Sequence, residues 1–351
     1  MYCVPWRNSV SPRRVRFAVV LSWVVLLLGA CGDAADTNEP VVITGPTMGT
    51  TYAVKLFGED VDVAAFQSQI DQLLERINEQ MSTWRSDSEL SRFNASRDLD
   101  WFPVSTETAH VVGAAAAISH LSDGAFDVTV GPIVNLWGFG PDRRKVNLPS
   151  QQQIDSIMER VGYQRLSVRS SPSALRKQHP DMYVDLSAIA KGFAVDEIAR
   201  LLNGRHMQSY LVEIGGELRA RGSKPDGSPW KVAIERPLSG ERSVQNIIAL
   251  RDHAIATSGD YRNYVEEDGK RYSHTINPRT GRPIAHGLAS VSVIANSAMR
   301  ADALATAIMV MGPDDGYRLA LREAIAVQLI IRSEDEFRVL ATPQFEGHAP
   351  D

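Results

Sequence analysis

The chain has 351 residues, 42 of them acidic against 37 basic, a net charge of −5 and only two cysteines. That acidity argues against a nucleic acid partner, because a phosphate backbone is held by a basic surface. Loss of the first 30 residues would remove four of the 37 basic residues. The 321 left would carry 33 basic against 42 acidic side chains, a net of −9.

Those 30 residues read as a signal peptide. Arg7, Arg13, Arg14 and Arg16 form a basic region ahead of an apolar run, residues 17–28, that is short for a bilayer span. Leu28-Gly29-Ala30-Cys31 resembles the lipobox of bacterial lipoproteins, with Cys31 as the lipidated new N-terminus. An uncleaved anchor is the alternative; the small residues Gly29 and Ala30 favour cleavage. The surroundings of Arg13-Arg14 fit a twin-arginine signal poorly, which leaves ordinary Sec export. The expected location is the cell membrane, lipid-anchored on the periplasmic side. With Cys3 removed and Cys31 lipidated, no thiolate nucleophile, CxxC pair or cysteine zinc site remains. Residues 31–40, small and polar, read as a tether.

Residues 41–345 are even in composition and are expected to form one large domain, or two interleaved lobes. Residues 41–57 predict a strand pair around Gly45-Pro46. Helical spacing predicts helices over 63–80 (Phe66, Ile70, Leu73, Leu74 and Ile77 on one face), 106–122, 151–161 and 193–203. Met182 to Val184 reads as a strand before the last of these. Strands follow at 210–214, 218–222, 230–234, 246–250, 253–258 and 288–295. Helices at 298–311 and 314–323 then precede strands at 326–331 and 337–340. This partial segregation predicts an α+β fold with packed helices and a mixed, largely antiparallel sheet.

Chemistry gathers at the junctions. Tyr183 to Asp196 runs through Asp185 and Lys191-Gly192 into a helix, a turn able to bring one carboxylate and one ammonium to a ligand. An ordinary helix cap would read the same way. Ala125-Phe126-Asp127 precedes a turn at Gly131-Pro132, and Gly215-Gly216 interrupts a strand next to Glu217. Thr257 to Tyr261 and Ser273 to Gly281, the latter including His274, are further polar turns. Asp302 and Thr306 lie i and i+4 on a helix, so a carboxylate and a hydroxyl share a face suited to magnesium. A plain first-turn charge and a back-bonded threonine would look the same.

Taken in order, the segments resemble the ApbE-like family of FAD:protein FMN transferases. They are Thr47 to Tyr52, Met81 to Trp84, Ser88 to Asn94, Phe126 to Pro132, Val184 to Gly192, Gly215-Gly216, Thr257 to Tyr261, His274 to Gly281 and Ala301 to Ala307. The resemblance implies an FAD site in which Met48, Trp84 and Phe126 flank the rings, with Ala125 and Asp127 beside them. Asp185 and Lys191 would bind the nucleotide, and Ile276 would line the pocket. Mg2+ would be held by the side chains of Asp302 and Thr306 and by carbonyls of Ala188 and Ala305. The reaction implied passes FMN from FAD to a Thr or Ser hydroxyl of an exported or membrane acceptor protein, with release of AMP. His274 is the candidate proton acceptor, a pocket-wall role being the alternative, and Lys191 would help neutralise the pyrophosphate. Two rivals are a metal-dependent FAD hydrolase and a non-catalytic flavin-binding lipoprotein.

Overall fold

The structure, a computed structural model, describes residues 39–140, 148–238, 243–260, 264–267, 270–333 and 336–350. The expected signal peptide, the lipidation site Cys31 and nearly all of the tether lie outside these residues. β1 (Val41–Thr47) and β2 (Thr50–Phe57) form a hairpin. Its turn is Met48-Gly49, with φ of +47 and +73, and not the expected Gly45-Pro46. Two positive φ values favour a glycine in the turn. Pro46 pairs with Thr51 instead, on an edge strand where a missing N–H is tolerated.

α1 (Val63–Met81) is capped by the Asp62 carboxylate, which accepts from the Ala65 N–H at 3.0 Å. It buries the five apolar residues expected of it. α2 (Glu89–Ala95), β3 (Phe102–Pro103), α3 (Thr106–Leu121), α4 (Gly131–Leu136), α5 (Gln151–Met158), β4 (Leu166–Ser170) and β5 (Ser173–Lys177) follow. α6 (Ala190–Gly204) begins three residues before the expected start, so Lys191 and Gly192 lie in its first turn. Then come β6 (Ser209–Ile214), β7 (Glu217–Arg221), β8 (Trp230–Glu235), β9 (Val244–Leu250) and β10 (Ala254–Gly259). Four short strands, β11 (Tyr264–Glu267), β12 (Lys270–Ser273), β13 (Ile276–Asn277) and β14 (Arg282–Pro283), lead to β15 (Leu288–Ala295). α7 (Ala298–Arg322), β16 (Ala326–Arg332), β17 (Phe337–Ala341) and α8 (Pro343–Glu346) complete the fold.

Eight strands make the main sheet, in the order β1-β2-β6-β7-β10-β15-β16-β17, and every described ladder is antiparallel. The α+β architecture expected from the sequence is the one observed. On one face of the sheet α1, α6 and α7 bury the larger core. On the other, Trp230, Val232 and Ile234 of β8 cluster with Ile255, Ile294 and Ile330. α7 is broken at Gly312 (φ +83), just before Pro313, which reconciles one observed element with the two helices expected. Among the described residues no helix is long and apolar enough to cross a membrane.

Residues 182–184 do not join a sheet. The amide of Asn94 takes the place of a neighbouring strand: its Oδ1 accepts from the Val184 N–H and its Nδ2 donates to the Val184 carbonyl, both at 2.8 Å. That clamp holds the approach to Asp185 extended.

Candidate functional site

A cleft of about 920 Å3 is lined both by residues of α6 and α7, among them Lys191, Asp302 and Thr306, and by Lys231 to Glu235 of β8. Its floor is the junction of α6 and α7. Gly192 is required there, since a Cβ would stand 2.3 Å from the Ala298 carbonyl oxygen. Backbone contact is reinforced by polar ties. The Asp196 carboxylate accepts from the N–H groups of Ala298 and Met299 at 3.0 and 2.9 Å, and pairs with Arg219 at 2.5 Å. Asp302 Oδ2 accepts from the Gly192 N–H at 3.1 Å.

Asp302 is 4% exposed and Thr306 lies one turn further along α7, its hydroxyl 3.2 Å from Ser258 Oγ. Both line the cleft, as does Ala188 at the entry to α6. Ala305 is fully buried beside Thr306 and does not line the cleft. Lys191 Nζ pairs with Glu217 Oε1 at 2.5 Å, and Glu217 is 3% exposed. Burial and the charge of Asp302 push the Glu217 carboxyl up to about 7, against the pull of Lys191. Burial also raises Asp302, opposed by Lys191 and by the Gly192 N–H. Burial pulls Lys191 down, but Asp302 and Glu217 together hold its pKa above the ordinary value.

The walls come from distant segments. Trp84 stands 61% exposed on the loop between α1 and α2. Asp185 Oδ1 accepts from the Ser187 N–H at 2.9 Å and from its hydroxyl, fixing the turn into α6. Ala125 and Phe126 are buried where they meet the cleft. The Asp127 carboxylate is engaged by Thr129, through its N–H and hydroxyl at 2.7 Å, and by the Tyr163 N–H at 2.8 Å. Burial nevertheless raises its pKa. His274 sits edge-on to Phe139, ring centroids 6.4 Å apart, and Ile276 lies beside it in β13. Met48 packs against the core from the β1–β2 turn and is not part of the lining.

The structure thus brings together Trp84, Ala125, Phe126, Asp127, Asp185, Ala188, Lys191, His274, Ile276, Asp302 and Thr306. Met48 and Ala305 stay behind this surface. Glu217 and Ser258 were not singled out from the sequence, although each lies in a junction that was. The carboxylate next to Gly215-Gly216 was the available signal. Tyr261, at the end of the Thr257 junction, lies outside the described residues.

The ApbE family profile matches residues 48–331. The chain belongs to the ApbE family. An ApbE-family relative in Vibrio cholerae serotype O1, an FAD:protein FMN transferase, is 47% identical over 332 residues, 93% of this chain and 98% of that protein. The FAD:protein FMN transferase of Escherichia coli K12 is 44% identical over 313 residues, 88% of this chain and 89% of its own. Among solved ApbE structures, the flavin transferase of Vibrio cholerae superposes with a TM-score of 0.82 at 47% identity, covering 88% of this chain and 99% of the other. The ApbE protein of Thermotoga maritima gives 0.80 at 28% identity, covering 89% and 100%.

Proposed function

We propose that this ApbE-family enzyme transfers FMN from FAD to a Thr or Ser hydroxyl of an acceptor protein, releasing AMP and needing Mg2+. The observation that carries the reading is the floor of the cleft. Asp302, Thr306, Lys191 and Glu217 meet there below an exposed Trp84. A volume of about 920 Å3 lies in the range of ligand pockets, and a dinucleotide needs that much room.

The donors suit a hard cation. One buried carboxylate and one hydroxyl sit a turn apart, with Ala305 next to Thr306 in sequence and Ala188 lining the same cleft. A few hard oxygen donors with room left for water and phosphate are the usual Mg2+ arrangement. When bound, Mg2+ would neutralise pyrophosphate charge and polarise the phosphorus under attack. Lys191, in the first turn of α6, adds a second positive charge. Trp84 gives an apolar face for a ring, and Asp185 supports nucleotide binding from the turn into α6. In the transfer the acceptor oxygen bonds to the FMN phosphorus and the bond to the AMP oxygen breaks. The hydroxyl proton passes to a base, for which His274 is the candidate at the mouth.

The decisive experiment incubates the enzyme with FAD, Mg2+ and an exported candidate acceptor, followed by mass spectrometry of the acceptor. The expected product gains FMN less one water on a Thr or Ser, with one AMP released per acceptor modified. AMP accumulation without modified acceptor would instead mean an FAD hydrolase, and neither product a flavin-binding protein. The same proposal places the enzyme on the periplasmic side of the cell membrane through lipid on Cys31. Cys31→Ser should move it to the soluble exported fraction; retention with membranes would reject lipid anchoring.

A further inference from the structure

Lys191 stands near two buried carboxylates, Asp302 and Glu217, and its ion pair is with Glu217, at 2.5 Å. Glu217 has a costly position. It is almost fully buried, and its second oxygen, Oε2, has no hydrogen-bond partner among the described residues. A pairing of Lys191 with Asp302 alone would balance the charge with one fewer carboxylate. The extra acid is therefore the feature that needs a reason.

Its placement is built into the backbone. Gly215 (φ +60) and Gly216 (φ +109) turn the chain from β6 into β7 so that Glu217 emerges at the cleft. Gly215 is also held close to Thr50, where a Cβ would come within 2.9 Å of Cγ2. The lysine, by contrast, is a flexible stem whose ammonium can reach more than one acid. With all three groups ionised, the trio carries a net single negative charge. Without Glu217 the remaining pair is neutral and closed, and a cation seeking Asp302 has to break it.

We propose that Glu217 is a positioning residue, which holds the Lys191 ammonium off Asp302 so that the Asp302 oxygens stay open to a divalent cation. This rests on the reading of the cleft as an FAD and Mg2+ site. Glu217 acts through Lys191, and so its loss should matter only while Lys191 is present.

The test is a double-mutant cycle of Glu217→Gln and Lys191→Met in the full chain. Mg2+ affinity is read by titration calorimetry, FAD binding by tryptophan fluorescence and folding by thermal melting. Glu217→Gln should weaken Mg2+ binding about tenfold, a coupling of ordinary size between residues in contact. In the Lys191→Met background the same change should cost little or nothing. Equal losses in both backgrounds would show a merely structural role and overturn the proposal, as would unchanged Mg2+ affinity in Glu217→Gln. A wild type that binds neither FAD nor Mg2+ would sink the site itself, a different failure. If Glu217→Gln does not fold, Glu217→Asp in the same cycle keeps the charge on a shorter arm. It should fall between wild type and Lys191-dependent loss, and wild-type Mg2+ binding there would also overturn the tether.

Discussion

Trp84 leaves most of its indole in solvent on a loop whose backbone is pinned by Ser82, the Trp84 N–H donating to Ser82 Oγ at 3.2 Å. Packing does not account for that exposure, and a stacked ring would. Base stacking on an aromatic is worth about 1–3 kcal/mol, so Trp84→Ala should lower FAD affinity at least about fivefold without changing the melting temperature. Quenching of indole emission by FAD in the wild type checks the contact directly. Asp302 gives a sharper case. Its Oδ2 accepts a single described hydrogen bond, from the Gly192 N–H, which an asparagine oxygen can also accept. Asp302→Asn should therefore melt near the wild type yet lose most FMN transfer, with partial rescue at high Mg2+. Near-normal transfer at low Mg2+ would make Asp302 structural only. Asp302 and Thr306 were legible in the sequence because one helical turn sets their relation. Glu217 was not, since its role appears only when β7 folds back beside the first turn of α6.

The α6–α7 junction translates sequence into site geometry through one missing side chain. Gly192→Ala would press a Cβ onto the Ala298 backbone, with Met299 Cα at 2.7 Å, and backbone cannot rotate aside as a side chain can. Overpacking of this kind costs about 1–3 kcal/mol, and the shift it forces would displace Asp302 relative to Lys191. A lower melting temperature together with weaker Mg2+ binding is the expected pair of effects. Further along α7, Gly312 bends over the ring of His286, which a Cβ would approach to 2.9 Å. Burial lowers the His286 pKa, partly opposed by the carbonyls of Val310 and Met309. The folded value thus lies below the ordinary 6.5, and the unfolded chain binds the proton more tightly. Stability from this residue is complete above pH 6.5 and drains away as pH falls below it. His286→Gln should flatten that acid limb of the melting curve; an unchanged slope would assign it to other groups. Long periodic elements such as α1 were readable to within a residue. α2, α4 and β3 to β5 were not, being too short for a period to show. Residues 182–184 look like a strand because they are extended, but a side-chain amide, invisible to periodicity, pairs with them.

At the scale of the whole molecule the cleft draws on residues from Thr50 to Val310, nearly the length of the sheet-forming chain. A ligand that contacts so many separate segments should stabilise all of them together. FAD with Mg2+ at about a hundred times its dissociation constant would add roughly 2.7 kcal/mol, seen as a single melting transition moved upward by a few degrees. Two transitions, with only one shifted, would show that the helical floor and the walls respond separately. The antiparallel α+β plan was legible from the alternation of strands and helices. The meeting of junctions far apart in sequence was legible only through likeness to a family, because no local pattern records which turns become neighbours. The same dispersal bears on the life history of the protein. A chain threaded unfolded across a membrane, as the proposed Sec export requires, has Trp84, Lys191 and Asp302 scattered and no cleft with which to hold a dinucleotide. It cannot carry FAD out with it. Flavin then has to reach the far side of the membrane by its own route, and the supply of FAD there, as much as the enzyme, would set how much acceptor is modified.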